Sequence, residues 1–110
     1  MERVALVGLG AIGAGYASRF VEAGIDLRVL ADAGRRARYA GQPTVVNGRR
    51  YDFEFSDGSE GPADLAVVAV KRAALDEAIE LLRPCVTGRT VVLSLLNGID
   101  SEEVLAAAFP

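Results

Sequence analysis

Four consecutive apolar residues, Val4-Ala5-Leu6-Val7, read as a strand buried on both faces. The period then changes. Ile12, Tyr16 and Phe20 recur at i, i+4 and i+8, with Ala17 and Val21 beside them. That predicts a helix over about residues 10–23 with this face inward and Gly24 as its C-terminal cap. Residues 26–31 read as a second strand, which Asp32 ends. Residues 35–40 read as a short helix stopped by Gly41-Gln42-Pro43. Thr44 to Val46, the pair Asn47-Gly48 and Arg49 to Phe55 read as a β-hairpin with a type I′ turn. Tyr51, Phe53 and Phe55 alternate onto one face of it, and the excursion is expected to stand outside the crossovers of the main sheet. Residues 57–62 are turn formers and predict a loop.

Beyond that loop the strand–helix alternation resumes. Residues 64–70 are an apolar run that ends at Lys71. Residues 74–83 place Leu75, Ala78, Ile79 and Leu82 on one helical face, with Asp76 and Glu77 in the first turn, Arg83 in the last and Pro84 beyond. Residues 89–95 predict another strand, followed by Leu96-Asn97-Gly98-Ile99. Asp100 and Glu103 resemble a capping box that starts a helix over residues 101–109. Strands alternating with helices in this way predict an α/β fold: a doubly wound, mostly parallel sheet of Rossmann type, with a small hairpin excursion around residues 44–55.

The join between the first strand and the first helix carries the chemistry. Gly8-Leu9-Gly10-Ala11-Ile12-Gly13 is a GxGxxG dinucleotide fingerprint in its proper setting, after a strand and opening a helix. Gly8 allows the tight turn, Gly10 lets backbone approach a pyrophosphate, and Gly13 lets helix and strand pack closely. The N–H groups of this segment, from Gly8 through Leu9, Ala11 and Ile12 to Gly13, and the positive end of the helix dipole suit the phosphates. Asp32 lies 19 residues after Gly13, close to the spacing of about 20 expected for an acid on the adenosine ribose. The alternative for Asp32 is a solvated loop carboxylate. Arg35 and Arg36 stand near enough to pair with a 2′-phosphate, so the pattern leaves NAD and NADP both open.

Composition narrows the rest. The chain has 110 residues, 51% hydrophobic and 25% charged, which suits one globular domain. It is short for a complete dehydrogenase. A net charge of −3 gives no reason to expect nucleic acid, despite the local Arg35, Arg36 and Arg38 cluster. No apolar run approaches the ~20 residues of a membrane span, and a strand opening directly into the fingerprint does not read as a signal peptide. A single cysteine, Cys85, excludes an internal disulfide and is expected to be a packing residue in a cytoplasmic protein. Histidine is absent, and no group of residues has metal-ligand spacing, so no metal is expected.

In an open parallel sheet, ligands bind beyond the carboxyl ends of the strands. The candidates there are the glycine loop, Lys71 and Asn97. Lys71 is the one lysine beside eleven arginines. It is either a snorkelling surface residue or a compact ammonium donor to a carbonyl. Asn97 is either an Asx-turn residue or an amide donor to a substrate oxygen.

Three segments, GLGAIGAGYA, AVKRAAL with Lys71 and LLNGIDSEEVL with Asn97, resemble in order and spacing the N-terminal domain of ketopantoate reductases. The resemblance spans essentially all 110 residues. It implies NADPH-dependent reduction of 2-dehydropantoate to (R)-pantoate, on the way to pantothenate. It also implies pyrophosphate binding by Gly8, Gly10 and Gly13, Lys71 beside the nicotinamide ribose and substrate, and Asn97 on the substrate. In that family an all-helical C-terminal domain, which also forms the homodimer, supplies an acid lysine and a substrate-binding glutamate, so a partner domain or subunit is expected. Asp32 departs from the family, which often carries an arginine near that point for the 2′-phosphate. A competing reading is a stand-alone NAD(P) sensor without turnover.

Overall fold

The protein is described here by a computed structural model, which covers residues 3–40, 44–59, 61–95 and 99–109. Its main sheet has five strands: β1 (Arg3–Val7), β2 (Asp26–Leu30), β5 (Phe55–Ser56), β6 (Leu65–Val68) and β7 (Val91–Ser94). They lie in the order β5-β2-β1-β6-β7, and every pairing is parallel. Helices α1 (Ala11–Glu22), α2 (Ala33–Ala40) and α3 (Leu75–Leu82) lie in the connections between them, and α4 (Ile99–Ala108) follows the last strand. Strands β3 (Thr44–Val46) and β4 (Arg49–Tyr51) form a separate antiparallel hairpin. This is a Rossmann-type, doubly wound α/β fold. The chain leaves β1 for β2 on one side and later returns to β6 on the other, so the reversal of strand order falls between β1 and β6.

Alternation within the central strands feeds two cores. Val4 and Leu6 of β1, Leu27 and Val29 of β2 and Val67 of β6 pack with Ala17 of α1 and with Phe53. Ala5, Val7, Leu30, Ala66 and Val68 pack on the opposite face against Leu75, Ala78, Ile79 and Leu82 of α3 and Leu105 of α4. The predicted inward face of α3 is the observed one. Cys85 is buried beside it, as expected of a packing residue.

Three expectations need correction. First, Ile12, Tyr16 and Val21 do not form the inward face of α1: they are 61%, 42% and 41% exposed. Of the predicted set only Ala17 and Phe20 reach the core, and Ala14 and Ser18 are buried with them. Gly13 sets this rotation, because a Cβ there would stand 1.9 Å from the Gly8 carbonyl oxygen and 3.2 Å from the Ala69 Cβ. The glycine must face the sheet, so Gly13, Ala17 and Phe20 turn inward and the residues one place earlier turn out. Second, Arg49 to Phe55 is not one hairpin strand. The hairpin ends at Tyr51, and Phe55–Ser56 becomes the edge strand β5, with Val29 against Phe55 and Leu30 against Ser56. The excursion is therefore part of a crossover of the main sheet. Tyr51 and Phe53 do stack, at 5.6 Å between ring centroids, and all three aromatics join one core. Third, α4 begins at Ile99, so Asp100 lies within its first turn instead of ahead of it.

Two backbone details match their sequence signals. Asn47 and Gly48 both have positive φ, 52° and 78°, as a type I′ turn requires. Gly24, at φ 75°, closes α1 in a Schellman arrangement, with its N–H on the Val21 carbonyl and that of Ile25 on Phe20. The predicted helix stop at residues 41–43 lies outside the described residues.

Candidate functional site

Register brings the candidate segments to one edge. Ser56, Leu30, Val7, Val68 and Ser94 stand in line across the five strands. Just beyond them come Asp57, Asp32, Gly8 and Lys71. Leu95, whose N–H donates to the Val68 carbonyl at 2.9 Å, continues the last strand at the same edge. Asn97 lies outside the described residues.

The three glycines of the loop occupy three different environments. Gly8 has φ 104°, and a Cβ on it would lie 2.6 Å from the Ala69 carbonyl oxygen. Gly13 is shut against the loop as described above. Gly10, by contrast, is exposed, with nothing within 4 Å of a Cβ built on it. Two glycines are thus required by packing, while the middle one opens onto free space. Gly10 is also the N-cap of α1 and offers no side-chain cap, and the first turn holds no acidic residue. The first intrahelical bond runs from Ala14 N–H to the Gly10 carbonyl, 2.8 Å, so the N–H groups ahead of it have no intrahelical acceptor. A pyrophosphate fits this cradle: it would meet backbone donors and the positive helix end without a competing carboxylate. Leu9 is half-buried against the α1-side core, and the Ile12 side chain is exposed.

Asp32 follows β2 and is exposed. Its Oδ1 accepts the Arg35 N–H at 2.8 Å, so it caps α2. That backbone hydrogen bond chiefly holds its carboxyl below the usual aspartate value. Glu77, in the first turn of α3, lies within hydrogen-bonding reach of the same carboxyl. Arg35 and Arg36 are half-buried in the first turn of α2. The Arg36 guanidinium reaches Asp57 at the end of β5, Nη1 to Oδ2 3.9 Å. The sequence reading missed Asp57, because it did not separate β5 from the hairpin. The Asp57-Gly58 turn directly after Phe55-Ser56 was the available signal for a strand end.

Lys71 is exposed, next to the 3-10 turn Arg72–Ala74, and its carbonyl accepts the Ala74 N–H at 2.9 Å. The adjoining Ala69 and Val70 are the residues that crowd Gly8. Lys71 therefore stands beside the glycine loop at the crevice between β1 and β6. Two hollows, about 370 and 360 Å³, lie elsewhere, between β7 and α4, lined by Thr90, Val92 and Phe109 in common. No helix among the described residues is long and apolar enough to cross a membrane.

A family model for ketopantoate reductase PanE/ApbA matches residues 4–110. An uncharacterised oxidoreductase of Bacillus subtilis, YkpB, is 28% identical over 109 residues, covering 94% of this chain and 36% of that protein. The structure of 2-dehydropantoate 2-reductase from Geobacter metallireducens is 31% identical, with a TM-score of 0.79 over 97% of this chain and 38% of that one. D-Mandelate dehydrogenase, in a ternary complex with NADH and anilino(oxo)acetate, gives a TM-score of 0.81 over 98% of this chain and 38% of that one; at 20% identity the likeness is one of fold alone. The chain spans little more than a third of the length of the curated relatives it matches. It belongs to the ketopantoate reductase PanE/ApbA family of oxidoreductases.

Proposed function

We propose that this chain is the cofactor-binding domain of a nicotinamide-dependent reductase of a small 2-keto acid, with 2-dehydropantoate as substrate and (R)-pantoate as product. The observation that carries the reading is the open face at Gly10, between two glycines that packing closes. When bound, the nicotinamide supplies the hydride that reduces the keto carbon. Negative charge then develops on the carbonyl oxygen and calls for a positioned donor. Lys71 is the compact ammonium nearest that crevice, and Asn97 supplies an amide to orient the substrate. Gly8, Leu9, Gly10, Ala11, Ile12 and Gly13 hold the pyrophosphate through backbone. Asp32 takes the ribose, and Arg35 or Arg36 neutralises a 2′-phosphate where the cofactor is NADP(H). A helical domain beyond residue 110, or a partner subunit, completes the site with the proton donor and covers Ile12, Tyr16, Val91 and Leu93, all exposed here. The reading places the protein in the cytoplasm, in keeping with a chain whose single cysteine forms no internal disulfide.

Calorimetric titration with NADPH and NADH tests the binding half of this reading. Gly10→Val should abolish binding of both while circular dichroism and the melting temperature stay unchanged. Gly10 has φ −69° and ψ −175°, which valine adopts freely. Binding retained by a folded Gly10→Val chain overturns the assignment.

A further inference from the structure

The geometry points to Asp57 as a positioning residue that sets the preference between NADH and NADPH by holding Arg36 away from the ribose. The inference rests on the dinucleotide reading above. It starts from β5, which pairs with β2 so that the Ala31 N–H meets the Ser56 carbonyl at 3.0 Å. Asp32 and Asp57 consequently flank one corner of the sheet, and the first turn of α2 rises between them. The Arg36 N–H donates to the Asp32 carbonyl at 2.9 Å, which roots Arg36 directly beside the residue assigned to the ribose. Its guanidinium nevertheless turns toward Asp57.

The two partners are unequally free. Asp57 Oδ1 accepts the Ser59 N–H at 2.9 Å, and the Gly58 N–H donates to Ser56 Oγ at 2.9 Å, so the carboxylate sits on a braced turn. Arg36 is a long side chain, about a third exposed, with several rotatable bonds. Arg36 is therefore the member that moves. A 2′-phosphate, with a charge near −2, outcompetes a single carboxylate for it. NADPH must break the Arg36–Asp57 pair to gain this arginine, whereas NADH leaves the pair intact. Asp57 thus acts against NADPH, and it does so through Arg36.

The test is a double-mutant cycle on the full 110-residue chain, with dissociation constants for NADH and NADPH measured at one fixed ionic strength. Asn at position 57 keeps an acceptor for the Ser59 N–H, so Asp57→Asn retains the turn. It should shift the NADH-to-NADPH dissociation-constant ratio toward NADPH by about fivefold, the upper end of what one exposed ion pair is worth. Asp57→Glu should restore the original ratio. In an Arg36→Gln background, Asp57→Asn should leave the ratio unchanged. An unaltered ratio in Asp57→Asn overturns the inference, and so does an equal shift without Arg36, because Asp57 would then act by direct repulsion. A wild-type chain that binds neither dinucleotide sinks the dinucleotide reading itself, a result separable from both of these.

Discussion

Asp32 places two demands on one carboxylate. Through Oδ1 it caps α2, and at its position after β2 it is the candidate ligand of the ribose. The two demands separate by substitution. Asp32→Asn keeps a capping oxygen and removes the charge, so the melting temperature should fall only slightly at neutral pH while NADPH gains on NADH. Asp32→Ala loses the cap as well, and its melting temperature should fall by roughly 5 °C. The pH dependence follows from the lowered carboxyl. Its folded value lies below the unfolded one of about 3.9, so its contribution is fully present above the unfolded value and is lost as pH falls through the folded one. Thermal melts of wild type and Asp32→Asn should therefore run parallel from pH 5 to 8, with wild type losing ground only below about pH 4. A divergence near neutrality would show that another group sets the difference.

At the scale of elements, what could be read in advance depended on how much sequence each element had in which to declare itself. Strands β1 and β6 are central and buried on both faces, and they appear as unbroken apolar runs, whereas β2 carries Asp26 and Arg28 among its apolar residues. Helix α3 faces the sheet with leucine, alanine and isoleucine at helical spacing, so pattern and burial agree. Helix α1 defeated the same logic, because close approach to the sheet demands small residues and Gly13 fixes the rotation. Apolar periodicity counted large side chains, which here point outward. Strand β5 is two residues long, too short to show any period, and with it went Asp57 and the Arg36 contact. The glycine loop and Asp32 were legible because they answer to backbone geometry and spacing. A contact between α2 and an unseen strand end was not. The corrected rotation of α1 predicts that Ile12→Ala changes stability by no more than about 0.5 kcal/mol. Leu75→Ala, fully buried in α3, should cost about 3 kcal/mol. Urea unfolding of both variants checks this, and a large loss in Ile12→Ala would return that side chain to the core.

Over the whole molecule, the radius of gyration of 13.1 Å is that expected for a compact domain of this length. The chain's own helices pack on both faces of the central strands, so cofactor binding is a property the 110 residues can be asked to show alone. Turnover is a different matter. Reducing a keto acid requires donors aimed at the carbonyl oxygen and an acid to protonate it, in a site closed against water. The chain offers Lys71 as its one lysine, has no histidine, and leaves the sheet's carboxyl edge open where Lys71 stands exposed. Relatives are nearly three times as long, which leaves room for a further domain to bring the acid and close the cleft. The 110-residue chain should therefore bind a nicotinamide dinucleotide yet oxidise NADPH with 2-dehydropantoate negligibly. A protein extended to the length of the relatives should turn over. In that longer protein Lys71→Ala should lower kcat/KM by about 100-fold, the scale of losing one positioned donor. Following NADPH absorbance for the short chain, the long protein and its Lys71→Ala variant decides among these. Robust turnover by the 110 residues alone would mean that Lys71 itself protonates the product, or that a second copy of the chain completes the site.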